Sequence, residues 1–155
     1  MAAASFSEAD ERLMQAALQL AERAATHGDV PIGAVVARGD DILGSAGNER
    51  ELRRDPTAHA EVLALRQAAE RLGGWRLLET TLYVTLEPCP MCAGAIYLAR
   101  VPRLVYGAAD PKGGAVGSVI DLFSEPVVNH RPVVEAGLLA ERSAALLEGF
   151  FSERR

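Results

Sequence analysis

Two short stretches of the sequence hold residue types that do chemistry: His59-Ala60-Glu61 and Pro88-Cys89-Pro90-Met91-Cys92. Cys89 and Cys92 are the only cysteines in the chain. A two-residue gap closes too short a loop to act as a structural staple, so the pair reads as metal-binding or redox-active. Proline is favoured at the first helical position, which makes Cys89 the N-cap of a helix that Pro90 opens. Cys92 then lies one turn on, and residues three apart share a helix face. Both sulfurs can meet one ion, and the positive end of the helix favours their thiolate form. His59 and Glu61, two apart, point to nearly opposite sides of a regular helix. They serve one site only if His59 belongs to an irregular helix start, near an end capped by Asp55 or Thr57.

His59, Cys89 and Cys92 together make three zinc ligands, while His27 and His130 lie in unrelated segments. A closed structural zinc site usually has four protein ligands; three plus a water is the catalytic arrangement. The expectation is one Zn2+ per chain in an open site. Zinc can bring the pKa of its water from 15.7 to about 7, which supplies a nucleophile at neutral pH. Glu61 is then the catalytic residue: it takes the water's proton, delivers it to a ring nitrogen and helps ammonia leave. A positioned acid–base group of this kind contributes about 10²–10⁴ in rate. A redox pair leaves His59-Ala60-Glu61 unexplained.

These residues need elements that bring positions 59 and 89 together. Ser7, followed by Glu8, Asp10 and Glu11, opens a first helix, and Leu13, Ala17, Leu20 and Ala24 give it one apolar face. Ile32 to Ala37 and Ile42 to Ala46 read as a hairpin around Gly39-Asp40-Asp41. A polar stretch from Asn48 to Asp55 precedes a helix from Thr57 to Leu72, stopped by Gly73 and Gly74. Thr81 to Leu86 is a strand and Met91 to Arg100 a helix. Arg103 to Gly107 is a fourth strand, followed by a Gly-rich loop from Ala108 to Gly117 and a short helical turn from Val119 to Phe123. Val133 to Ala136 and Leu138 to Phe151 give a last strand and helix. Strands alternating with helices after a hairpin predict a single α/β domain over residues 1–155, with a five-stranded mixed sheet covered on both faces. Sites in such sheets gather at the C-terminal ends of parallel strands, which is where Cys89 and Asp110 fall.

The chain has 155 residues, is 49% apolar and carries a formal net charge of −5. That balance argues against a protein that coats nucleic acid generally, which would be basic. No apolar run reaches the roughly 18 residues of a membrane span, and Met1 to Asp10 lacks the pattern of a signal peptide, so the expected location is cytoplasmic.

His-x-Glu followed by Pro-Cys-x-x-Cys is the known signature of zinc deaminases of nucleobases. Beyond it, the sequence resembles the bacterial tRNA-specific adenosine deaminases, within the cytidine deaminase superfamily, over nearly its whole length. The resemblance runs through Val30-Pro31-Ile32-Gly33-Ala34-Val35, Asn48, Asp55 to Glu61, Thr85 to Cys89, Gly107 to Gly114, Asn129-His130-Arg131 and Phe150-Phe151. It implies a three-layer cytidine-deaminase-like fold and hydrolytic conversion of a tRNA wobble adenosine to inosine. It further implies a homodimer and substrate contacts from Asn48, Asp110, Asn129 and Lys112, with Asn48 on the flipped base. Arg50, Arg53, Arg54, Arg154 and Arg155 are candidates for phosphate contacts. The zinc segments are shared with guanine, cytosine and cytidine deaminases. A deaminase of a free base or nucleoside is therefore the first alternative, and a non-catalytic zinc or redox module the second.

Overall fold

The computed structural model describes residues 5–154. Met1 and Arg155, named in the readings above, lie outside them. Strands β1 (Gly33–Arg38), β2 (Asp41–Gly47), β3 (Thr81–Leu86), β4 (Arg103–Ala108) and β5 (Val133–Ala136) form one sheet in the order β2-β1-β3-β4-β5. β1 runs antiparallel to both β2 and β3, and β3, β4 and β5 are parallel. This is the predicted five-stranded mixed sheet.

The strand period of two sends alternate side chains to opposite faces. Val36, Leu82, Val84, Leu104 and Tyr106 join one core, under α3 (Ala60–Leu72) and α4 (Pro90–Leu98). Val35, Tyr83 and Val105 join the other, under α1 (Glu8–Thr26), with Leu146 of α5 (Ala140–Ser152) packed against it. The three layers follow from that alternation. α1 begins at the predicted Ser7 cap: Ser7 Oγ accepts from Asp10 N and the Asp10 carboxylate accepts from Ser7 N, both at 3.0 Å. Asp10 then does a second job. Its buried carboxylate accepts from Tyr83 Oη at 2.7 Å and from Arg103 Nη1 and Nη2 at 2.9 and 3.0 Å, tying α1 to β3 and β4.

α3 lies close to the hairpin because Gly44 has no side chain. A Cβ there would fall 2.2 Å from Ala64 O. Ala60, Ala64 and Ala68, all buried, give α3 a matching small face.

Three local readings are corrected. The second long helix starts at Ala60, not Thr57, and its N-cap is His59 itself. Asp55 and Thr57 cap nothing there; Asp55 Oδ1 accepts from Thr57 N and Oγ1, both at 2.8 Å, in a local turn. The polar stretch after Asn48 contains a helical turn, α2 (Arg50–Arg53). The turn expected over 119–123 is a 3-10 turn at Leu122–Ser124. No helix among the described residues is long and apolar enough to cross a membrane.

Candidate active site

The sheet brings the two chemical segments together at the C-terminal end of β3. Cys89 is the N-cap of α4, with Pro90 opening the helix as read from the sequence. His59 is the N-cap of α3, with extended backbone at φ −74° and ψ 149°. That extended residue resolves the two-apart problem, because His59 stands outside the helix and Glu61 inside its first turn. His59 Nδ1 lies 3.6 Å from Cys89 Sγ and 3.5 Å from Cys92 Sγ. The three ligand atoms all fall within 4.8 Å of one another, the only such ligand cluster among the described residues. One borderline nitrogen and two soft sulfurs, converging from two helix starts, fit a zinc ion.

The electrostatics agree. The hydrogen bond from the Cys92 thiol pulls Cys89 down to about 4, well into the thiolate range. Cys92, set against that sulfur and buried, is pushed up. The Cys89 sulfur raises His59. Glu61 is 4% exposed, and burial pushes its carboxyl up to about 7. A carboxyl near neutrality can both accept and return a proton.

Above this floor opens a cavity of about 660 Å3, within the range of small-molecule sites. Asn48, His59, Glu61, Cys89, Asp110 and Lys112 line it. Cys92 lies buried beneath. Asn48 donates from Nδ2 to Val30 O at 3.3 Å, which leaves its Oδ1 buried without a partner, the only such side-chain atom among the described residues. A buried unpaired acceptor costs free energy, and this one belongs to a residue that lines the cavity. Asp110 Oδ1 accepts from Lys112 N and Gly113 N, which fixes a turn at the rim.

Asn129 is not brought in: it is exposed and outside the cavity lining. Its neighbours serve the backbone, His130 Nε2 donating to Val101 O at 2.8 Å and Arg131 to Phe123 O. The sequence reading missed Leu147 and Phe151, which form a wall of the cavity with Arg154. Leu147 and Phe151 are four apart, a second apolar stripe beside the core-facing Leu146 and Phe150, and that doubling is a readable signal. Arg50 also lines the cavity; Asp29 tethers its helical turn, accepting from Glu51 N at 2.7 Å and Leu52 N at 3.2 Å.

Comparison with known proteins gives the same picture. The MafB19-like deaminase profile matches residues 8–155. A tRNA-specific adenosine deaminase from Haemophilus influenzae is 49% identical over 152 residues, covering 96% of this chain and 87% of that protein. A solved structure from studies of A-to-I editing by tRNA:A34 deaminases at the wobble position superposes with a TM-score of 0.86 at 48% identity, covering 88% of this chain and 99% of the other. A guanine deaminase from Nitrosomonas europaea superposes at 0.77 with 26% identity, over 98% of this chain and 87% of the other. The chain belongs to the MafB19-like deaminase family and groups there with the tRNA-specific adenosine deaminases.

Proposed function

We propose that this protein hydrolyses the exocyclic amino group of an adenosine at the wobble position of a tRNA anticodon, consuming one water and giving inosine and ammonia. The observation that carries this reading is the buried Glu61 carboxyl beside the three-ligand cluster at the floor of a substrate-sized cavity. The names and identities of the relatives direct it to adenosine in tRNA.

His59, Cys89 and Cys92 would hold the zinc ion. When bound, zinc supplies Lewis acidity that makes a water nucleophilic at neutral pH. Glu61 would accept one proton from the attacking water and pass it to the purine ring nitrogen; the proton left on the added hydroxyl would then return through Glu61 to the departing amine, which leaves as ammonia. Its buried position keeps competing solvent from the carboxyl. Asn48 Oδ1 accepts a hydrogen bond from the substrate and orients it, with Nδ2 anchored on Val30 O. Asp110 and Lys112 contact nucleotides beside the target, and Asn129, outside the cavity, contacts flanking nucleotides only. Arg50, Lys112 and Arg154 give the rim positive charge suited to phosphates, although the whole chain is acidic. An anticodon loop is unpaired already, so extruding its base costs less than opening a duplex.

A homodimer belongs to the same reading. A groove lined by Val62, Leu65, Trp75 and Leu98, with Trp75 and Leu98 more than half exposed, supports it. Sedimentation equilibrium should return twice the chain mass; a monomer at micromolar concentration removes this part.

The chemistry is tested by running the reaction on an anticodon stem-loop in heavy-oxygen water. Inosine carrying one heavy oxygen, with one ammonia per inosine, is the expected result. Unlabelled inosine, or none, contradicts it.

A further inference from the structure

One buried charge has no part in the chemistry above. Glu87 follows the last residue of β3 and precedes Pro88-Cys89, and the residue is 2% exposed. Its backbone N–H donates to Ala108 O at 2.8 Å, extending the pairing of β3 with β4. Its carboxylate turns toward the loop after β4. Oε1 accepts from Asp110 N at 3.1 Å and from the Ser118 hydroxyl; Oε2 accepts from Val116 N at 3.0 Å and Ser118 N at 3.1 Å. No cation pairs with it among the described residues; three amides and a hydroxyl satisfy it instead. The loop closes around the carboxylate so tightly that a Cβ on Gly114 would fall 2.4 Å from Glu87 Cδ.

The geometry points to Glu87 as a positioning residue that sets where Asp110 and Lys112 stand over the cavity. It sits two residues from a metal ligand and gathers the amides of the loop that carries the rim. The catalytic floor and the substrate rim are therefore held in one register by a single side chain. This inference rests on the proposed tRNA reading, because Asp110 is the residue through which Glu87 acts. A carboxylate is required rather than an amide. Glu87→Gln turns one acceptor into a donor facing N–H or O–H groups, and the loop must shift to relieve it.

The test is a double-variant cycle on anticodon stem-loop turnover, with zinc content and melting temperature measured for every protein. Glu87→Gln should keep one zinc per chain and raise KM about tenfold while kcat falls less. In the Asp110→Ala background the same change should cost almost nothing, because the Asp110 side chain is gone and with it the carboxylate that ties Lys112 to the same turn. Ser118→Ala, which removes only one donor, should show the same dependence on Asp110 at smaller size, and it decides the matter if Glu87→Gln does not fold or hold zinc. Losses that multiply across the cycle, or a fall in kcat with KM unchanged, would overturn the inference. Wild-type protein that forms no inosine in the same assay refutes the tRNA reading instead, so the two failures are distinct.

Discussion

In the proposed reaction Glu61 moves the protons and the three ligands hold the metal, so each part can be removed separately. Glu61→Gln preserves shape and removes the proposed proton carrier. It should retain one zinc per chain by metal analysis and lose about 10²–10⁴ in kcat on a stem-loop; turnover within a few-fold of wild type would refute its role. Cys92→Ala acts on the other half. Cys92 is fully buried and its sulfur is one of three ligand atoms, so the variant should lose metal and melt at lower temperature, since binding and folding are coupled. Asn48→Ala tests the orphaned acceptor. Zinc should hold and stability should fall only by about 1 kcal/mol, the value of the lost bond from Nδ2 to Val30 O, because Oδ1 makes no bond within the chain, while KM rises about tenfold, the value of one hydrogen bond in an enclosed site. An unchanged KM would place Asn48 outside the substrate contacts.

The elements were legible in the sequence wherever the controlling residues are local. Ser7 with Asp10 announces α1, Pro90 after Cys89 announces α4, and the β-branched run from Thr81 announces β3 to the residue. What stayed hidden depends on distant partners. Histidine is not among the usual N-caps, so the start of α3 was read three residues early. α2 lacks a side-chain cap of its own and is held by Asp29, 22 residues before Glu51. Glu87 looks like part of the cysteine motif, yet its hydrogen-bond partners lie 23 to 31 residues on. The Asp10–Tyr83–Arg103 group is hidden for the same reason, and it makes a prediction at this scale. Hydrogen bonding from Arg103 holds the Asp10 carboxyl well below the usual aspartate range. The unfolded chain therefore binds more protons than the folded one as pH drops below about 4. Stability from Asp10 is full above that pH and is lost as pH falls through the folded value. Arg103→Ala strands a buried carboxylate and should cost about 3 kcal/mol at neutral pH by urea denaturation, the lower end of the range because Arg103 is partly exposed. It should also flatten the loss of stability between pH 5 and 2, as urea curves across about that interval would register. A cost below about 0.5 kcal/mol would mean the group is not a structural tie.

At the scale of the whole molecule the tension is charge. The chain carries a net −5, yet the cavity rim holds Arg50, Lys112 and Arg154. Arg154 lies 3.5 Å over the Phe150 ring and donates to Phe150 O at 3.1 Å, so its guanidinium is held in place beside the opening. Affinity for a stem-loop should then fall as salt rises, and Arg154→Ala should lower the slope of log affinity against log salt by about one. A slope equal to wild type would place Arg154 off the phosphate path. The central claim concerns which amine is hydrolysed, and one measurement addresses it most directly. A single zinc-loaded preparation is offered an adenosine-containing anticodon stem-loop, free adenosine, guanine and cytosine in parallel, and ammonia release is followed. Rapid release from the stem-loop, matched by inosine, with the free compounds left nearly untouched, is the predicted result. Efficient turnover of guanine or cytosine with no inosine in the RNA would contradict the account.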